Sequence, residues 1–515
     1  MNNSNRKKLP IGISTFNEII NENYLYIDKT KEAYNLISNH KYAFLSRPRR
    51  FGKSLFLDTL KEIFEGNQKL FKGFYIENRW NWEEKYPVIH ISFSGDMRSP
   101  EGLKETILSV LKRNQENLKV ECDNTNSYSN CFRELLKQTY EQYQKPVVIL
   151  IDEYDKAMLD NLDQMSVAQE NREILRAFYG VMKDNDRYIK FVFLTGVSKF
   201  AKANIFSGLN NLEDITLYPK FGTICGYTQM DIETIIAPYL EGVDFEELKR
   251  WYNGYNFLNE KVYNPFDILL FIRNDYIFRN YWFNTGTPSF LAKLFQTGNY
   301  NLANFEDLKV DEGLLNAFDI NQLNLETIMF QSGYLTIKEQ IIRRNRIEYI
   351  LTYPNYETKM SFNDYLINYF VTNHQKKNRV KNGLIDTLEV ADLESFEQVI
   401  KSLFASIAYN NFTNNYIENY EGFYASVFYA YFAGAGFDKI IAEDATSEGR
   451  IDLSVFIDDK VFIFEFKVNQ KGALEQIRAK NYHEQYLSNY NEIYLLGIEF
   501  DSKRRNVVAY AWEKV

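Results

Sequence analysis

Three cysteines (Cys122, Cys131, Cys225) in 515 residues provide neither a disulfide framework nor a metal-ligand spacing. The four histidines, His483 among them, read as structural or surface residues. Ten prolines and 24 glycines form no Pro/Gly/Ser-rich linker, no segment repeats, and no long run of like charge occurs. The longest weakly polar run, "SVFYAYFAGAGF" from Ser426, is too short to span a bilayer. The opening "MNNSNRKKLPIG" is basic but has no apolar run after it, so no secretory signal is expected and a cytoplasmic setting is. Basic charge is also in deficit. A net charge of −9 argues against a coat of basic surface for nonspecific nucleic-acid binding, though not against local basic patches.

What is present is length and aromatic bulk. A chain of 515 residues is too long for one core, so two or three domains are expected. Apolar residues at 45% and charged residues at 25% are ordinary for a globular protein. The 40 Phe and 38 Tyr read as core packing on top of a compositional bias.

The first informative stretch is "YAFLSRPRRFGKSLFLDTL", residues 42–60. Tyr42 to Ser46 is a short apolar run, consistent with a buried strand. From Lys53, apolar residues at Leu55, Leu57, Leu60, Ile63 and Phe64 fit an amphipathic helix ending at Gly66. The segment between them, Arg47, Pro48, Arg49, Arg50, Phe51, Gly52, Lys53 and Ser54, therefore lies where a phosphate-binding loop belongs. In such a loop, backbone N–H groups and the positive helix end wrap phosphate oxygens. Lys53 would reach the β/γ-phosphates and the Ser54 hydroxyl would ligate Mg²⁺. Arg47 stands where the first glycine is usual, so that end must turn without positive φ. Taken alone, the stretch is better read as a basic surface turn.

"KPVVILIDEYDKAM" (Lys145 to Met158) changes that balance. Five apolar β-formers lead to Asp152 and Glu153, the form of a Walker B strand. Asp152 would hold the Mg²⁺ shell and Glu153 would orient or deprotonate water. The plainer alternative is a buried strand ending in solvated acids. Between the two elements lies "PVIHISF" (Pro87 to Phe93), and after them "KFVFLTGVSKF" (Lys190 to Phe200). Helical patterns separate these strands, so a parallel sheet covered on both faces is expected. An extra strand between the Walker A and Walker B strands marks the additional-strand, catalytic-glutamate class. The strand ending at Thr195 would present a polar sensor, Ser198 as first choice and Thr195 as second.

Residues 9 to about 360 resemble the predicted AAA-ATPase-like family of bacterial and archaeal proteins. The stretches that carry the resemblance are "LPIGISTFNEI", "YLYIDKT", "FLSRPRRFGKSLFLDTL", "ILIDEYDK", "FLTGVSKF", "WYNGYNF", "VYNPFDIL", "YWFNTGTPSFL" and "LTYPNYE". The resemblance implies that RPRRFGKS stands in for the usual glycine-rich loop, and that ATP and Mg²⁺ are its ligands. It also implies a PD-(D/E)XK nuclease domain at the C-terminus.

The tail stands out without that expectation. "EGRIDLSVFIDDKVFIFEFKVNQ" (Glu448 to Gln470) is two β runs joined by Asp458-Asp459, a hairpin signal. Glu465 and Lys467 share one face, with Phe464, Phe466 and Val468 on the other. A two-residue turn pairs Ile457 with Lys460 and so sets Asp452 across from Glu465. Carboxylates with Cβ atoms about 5 Å apart repel unless a cation sits between them, and hard oxygen ligands suit Mg²⁺ or Mn²⁺. Lys467 could stabilise charge developing on phosphorus or help activate water. The alternative is a solvated hairpin face. The D…E-x-K pattern closely resembles the PD-(D/E)XK nuclease superfamily, with Ile451 where the proline is usual. Upstream, "YIENYEGFYASVFYAYF" reads as a helix, and the resemblance makes Glu421 an accessory acid. Downstream, "GALEQIRAKNY" reads as a helix, with Gln476 in the place of the auxiliary polar residue.

From about Cys225 to Asn355, helix-like segments lead to a helix near Leu323–Gln331 and a hairpin with strands near Tyr334–Ile337 and Glu348–Tyr353. This combination fits a winged-helix-like lid with "RRNR" (Arg343 to Arg346) at the hairpin tip. Gly254 of "WYNGYNF" and Gly286 of "TGTPSFL" indicate tight turns. The expected architecture is an α/β P-loop ATPase core (1–224), a helical, winged-helix-like lid (225–360) and an α/β restriction-endonuclease-like domain (361–515). ATP state would control how a metal-dependent nuclease meets DNA, and the ATPase domain is the expected surface for any homo-oligomer. The rival reading is a nucleotide-dependent switch that binds nucleic acid or a protein partner, its nuclease domain inactive.

Overall fold

Strand-forming segments of the first half pair side by side in a computed structural model. The structure describes residues 6–93, 95–124, 126–199, 205, 209, 211–283, 291, 302–316, 324–371, 373–407, 421–445 and 449–515. The strands are β1 (Tyr42–Ser46), β2 (Val88–Ser92), β3 (Val147–Asp152), β4 (Ile189–Gly196) and β5 (Glu213–Asp214). All pairs are parallel, in the order β2-β3-β4-β1-β5. Every residue of β1 and β3 is buried, as a sheet covered on both faces requires. The strand lying between β1 and β3 is therefore β4. The segment that separates them in sequence, PVIHISF, forms β2 at the sheet edge. Its place is set by where the crossover helices return the chain, not by chain order.

Helix α1 (Lys53–Phe64) follows β1 and lays Leu57, Leu60, Ile63 and Phe64 on the sheet. It ends close to the expected Gly66, one turn residue beyond its C-cap Glu65. Further helices, α2 (Pro100–Leu118), α3 (Tyr128–Tyr143) and α4 (Met165–Asp184), separate the later strands.

Contacts divide the chain into two units, Met1–Trp282 with Lys309–Pro354, and Phe283–Leu308 with Asn355–Val515. Within the first unit, the segment after the sheet forms a short antiparallel pair, β6 (Asn253–Tyr255) and β7 (Val262–Tyr263). A three-stranded sheet in the order β8-β10-β9 follows, built from β8 (Leu308–Asp311), β9 (Thr336–Arg343) and β10 (Arg346–Thr352). Helix α5 (Leu325–Ser332) precedes β9; the Asn324 side chain caps its start and Gly333 turns the chain at its end. The hairpin is longer than expected, because its outer residues alternate weakly and are mostly exposed. Its turn is Arg344-Asn345, both at positive φ (48° and 63°), which suits a two-residue hairpin loop. Leu323, Gly286 and the TGTPSFL turn lie outside the described residues, Leu291 excepted.

In the second unit, α6 (Tyr356–Phe370), α7 (His374–Glu389) and α8 (Leu393–Ala405) precede α9 (Glu421–Ala435). The sheet that follows runs β11 (Lys439–Ala445), β12 (Arg450–Ile457), β13 (Lys460–Val468), β14 (Glu492–Asp501) and β15 (Asn506–Lys514), in that order. Only β13 and β14 are parallel, and α10 (Ala473–Ala479) supplies their crossover. Phe464 and Phe466 pack on Phe428 of α9, at ring separations of 6.1 and 5.0 Å. Leu474 and Ile477 of α10 cover Val461, Ile463 and Leu495 on the opposite face. Among the described residues, no helix is long and apolar enough to cross a membrane.

Candidate active sites

The loop after β1 enters α1 through Gly52 at φ +90°. A Cβ there would meet nothing within 4 Å, so the glycine serves the backbone turn alone. Arg50 is the other positive-φ residue of the loop, at 69°, and Arg47 is not one. Lys53, only 7% exposed, donates from Nζ to the carbonyls of Arg47 and Pro48, both at 3.0 Å. Burial lowers its pKa and the nearby Asp152 opposes that shift. The Ser54 hydroxyl lies 2.5 Å from Asp152 Oδ2. Loop lysine, loop serine and the β3 carboxylate thus converge at one end of the sheet.

The Arg47 side chain does not join them. It is fully buried, and its guanidinium donates to the carbonyls of Ser46, Thr216 and Phe221. Burial drives its pKa down to about 10. Arg49 and Arg50 remain nearer the surface: Arg49 is 3.9 Å from Asp160, and Arg50 lies over the Phe266 ring at 4.9 Å. Phe51 is buried against Tyr255.

Asp152 also accepts from Thr195 Oγ1 at 2.5 Å. Ser198 instead donates its hydroxyl and its backbone N–H to Asp155. The structure therefore brings the second-choice sensor residue, Thr195, to the β3 carboxylate, and places Ser198 one carboxylate away. Gly196, the last residue of β4, packs closely against Tyr154 and Asp155, and the chain bends just after it at Val197 and Ser198. Asp155 was not singled out from sequence, where an acid before Lys156 looks like a solvated helix start. Glu153 adopts φ 53° and reaches solvent. Desolvation, followed by the Asp152 charge, raises its pKa. A left-handed non-glycine residue at this point is the kind of strain that collects at functional sites.

The second site lies on the β12–β13 hairpin. Pairs from Ile457–Lys460 to Leu453–Phe464 follow the register read from Asp458-Asp459. Beyond the last of these pairs, Asp452 Oδ2 accepts the Phe466 N–H at 2.7 Å. Glu465 is 1% exposed and its Oε1 accepts from Lys467 Nζ (3.3 Å) and from Gln476 Nε2. Glu465 Oε2 is buried with no hydrogen-bond partner. Lys467 Nζ is also 3.9 Å from Glu421 at the start of α9. All five residues expected at a nuclease site, Glu421, Asp452, Glu465, Lys467 and Gln476, are thus neighbours.

Their electrostatics are those of crowded carboxylates. Burial, then the Asp452 charge, pushes the Glu465 carboxyl far above the usual range. Burial raises Asp452 too, against the Phe466 N–H and Lys467. Desolvation works against the Lys467 charge, but Glu465 and Glu421 outweigh it and raise its pKa. Buried Tyr482, not singled out from sequence, is also pushed up, first by burial and then by the Glu465 charge. It sits in "AKNYHEQY", where nothing in the spacing distinguishes it from a packing tyrosine.

The donor set fits a hard divalent ion: two neighbouring carboxylates, one with an unpartnered buried oxygen, whose crowding Lys467 offsets only in part. Among the described residues, no three His, Cys, Asp or Glu side chains form a metal-ligand group. An ion held by Asp452 and Glu465 would therefore draw its remaining ligands from water and substrate.

The family model described as Predicted AAA-ATPase matches residues 10–206. The model described as PD-(D/E)XK nuclease superfamily matches residues 419–510. Across almost its whole length the chain is similar to a protein of Azotobacter chroococcum mcd 1, described as "Uncharacterized protein in vnfD 5'region". The two are 43% identical over 516 residues, covering 99% of each.

Proposed function

The chain belongs to the family of predicted AAA-ATPases that carry a PD-(D/E)XK nuclease domain, and from that premise we propose an ATP-hydrolysing protein coupled to a metal-dependent nuclease that acts on DNA in the cytoplasm. The observation that carries the nuclease half is the buried, unpartnered Glu465 oxygen beside Asp452. A structural hairpin gains nothing from burying a carboxylate beside a second one with an oxygen left unbonded.

At the first site, the position of β4 between β1 and β3 supports the additional-strand, catalytic-glutamate class. Lys53 would leave the Arg47 and Pro48 carbonyls for the β/γ-phosphates, with Ser54 and Asp152 holding Mg²⁺. Glu153 would take or orient the proton of the attacking water, a task that a raised carboxylate pKa favours. Thr195 is better placed than Ser198 to sense the γ-phosphate through Asp152. Residues 225–360 are read as the lid, with α5 and the β9–β10 hairpin as its winged-helix-like part.

At the second site, Asp452 and Glu465 would hold Mg²⁺ or Mn²⁺, which supplies Lewis-acid charge at a phosphodiester. Gln476 fixes the Glu465 carboxylate, and Glu421 and Glu465 hold the Lys467 ammonium in its charged form. That ammonium can then meet charge developing on the scissile phosphate. Plasmid nicking by purified protein, with Mg²⁺ or Mn²⁺ against EDTA and with or without ATP, tests the whole reading. Metal-dependent nicking is expected. Intact plasmid under every nucleotide and metal condition would replace the nuclease with a nucleotide-dependent binding switch.

A further inference from the structure

The phosphate loop is held from behind by residues far away in sequence. The buried Arg47 guanidinium meets three carbonyls, Ser46 at 2.8 Å and Thr216 and Phe221 at 2.9 Å, and lies 3.8 Å over the Phe257 ring. Phe51 packs its ring on Tyr255 and Phe257, and its carbonyl accepts the Gly226 N–H. Trp282 Nε1 donates to the Arg49 carbonyl at 3.1 Å. Pro48 fits so closely against Gly333, just before β9, that a Cβ there would come within 2.7 Å of its ring.

The strip that receives Arg47 and Phe51 is the WYNGYNF stretch, and it is tied in turn to β9. The Asn256 backbone N–H donates to Thr336 Oγ1 (2.7 Å), and Asn256 Nδ2 donates to the Ile337 carbonyl (3.0 Å). Gly254 is there because the Pro354 carbonyl would lie 1.7 Å from any Cβ, and because its φ is +134°. The loop therefore reaches the base of the β9–β10 hairpin by two routes, through Asn253–Phe257 and through Pro48–Gly333.

We propose that Arg47 is a positioning residue that keys the phosphate loop to the Asn253–Phe257 strip, so that nucleotide occupancy of the loop is felt at the base of the β9–β10 hairpin. The proposal rests on the ATP-binding reading of the loop and adds that the arginine acts behind it and not on the nucleotide. The trigger is Lys53. Its ammonium bonds the carbonyls of the two residues that carry the two routes, Arg47 and Pro48. A phosphate that draws Lys53 away frees both carbonyls together.

Hydrogen exchange on the full chain tests the anchor without requiring nucleotide. Arg47→Met keeps side-chain length but removes the guanidinium donors to the Ser46, Thr216 and Phe221 carbonyls. It should speed exchange both in residues 47–54 and in residues 334–343, with residues 450–468 unchanged. Arg47→Lys, which keeps the charge and loses the fork, should fall between Arg47→Met and wild type. In wild type, ATP should protect residues 334–343 along with the loop. Asn256→Ala, which cuts one of the two routes, should reduce that hairpin protection while nucleotide affinity stays near wild type. Arg47→Met should weaken nucleotide binding by about tenfold or more. Exchange changes confined to residues 47–54 in Arg47→Met, or full hairpin protection in Asn256→Ala, would overturn the keying. If wild type binds no ATP, the ATP reading fails, while the nucleotide-free exchange still judges the anchor.

Discussion

The two candidate sites are buried to similar depth but stand in opposite electrostatic conditions. In the first unit, Lys53 (7% exposed) and Asp152 (5%) are each already satisfied, the lysine by two carbonyls and the aspartate by two hydroxyls. In the second unit, Glu465 keeps one oxygen without a partner, and the Asp452 charge raises its pKa further. Depth does not separate the sites; hydrogen-bond partners do. A ligand enters the first site by exchange, taking over partners the fold now supplies, so its net gain is modest. A cation enters the second site to relieve crowded carboxylates that Lys467 answers only in part, so the fold itself should benefit.

The sharpest way to break this contrast is to remove one side of it. Asp452→Ala and Glu465→Ala should each reduce DNA cleavage to background while ATP turnover survives, since the changes lie in the other unit. A fall in both activities, followed on one preparation, would mean that the sites are not separable. Next in size, Glu153→Gln should retain ATP and lose about 10²–10⁴-fold in hydrolysis, and Lys53→Ala should lose nucleotide binding. Unchanged turnover in both variants would reject the first site. Lys467→Ala should keep the cation and lose about 10²–10³-fold in cleavage rate, seen as a fall in kcat beside an unchanged metal titration.

Stability gives a subtler comparison. The folded pKa of Glu465 lies above its unfolded value. The stability tied to its neutral form is therefore present in acid and lost as pH rises through the elevated folded value. In EDTA, wild type should lose thermal stability relative to Glu465→Gln from mildly acidic to mildly alkaline pH. Mn²⁺ should restore it in wild type alone. A pH-independent difference between the two melting curves would show that the carboxylate is not strained. The smallest effect belongs to the wing. Replacing Arg343, Arg344 and Arg346 should flatten the salt dependence of DNA binding by about 0.9 per lost phosphate contact. An unaltered slope would make that tip a solvated turn.

The contrast also divides what could be read from sequence. The hairpin register was legible because a two-residue turn and a period of two leave one pairing, and the structure has it from Ile457–Lys460 as far as Leu453–Phe464. The strand–loop–helix around Lys53 was legible for a similar local reason. The position of PVIHISF was not, because the order of parallel strands depends on crossovers that leave no local mark. Nor was the fate of Arg47, whose partners Thr216, Phe221 and Phe257 lie some 170 or more positions away. Thr195 and Ser198 differ by three residues, and only the packing of Gly196 on Tyr154 and Asp155 decides which hydroxyl meets Asp152. Gln476 and Glu421 came from resemblance alone, since a lone polar residue on a helix carries no spacing signal.

The most direct test of the unsatisfied site is calorimetric titration of Mn²⁺ into metal-free protein at neutral pH, repeated in buffers of different ionisation enthalpy. Wild type should bind Mn²⁺ at a site lost in Asp452→Ala and Glu465→Ala, and binding should release protons as the raised carboxyls ionise. Binding that persists unchanged in both variants, or no binding at all, would contradict the account.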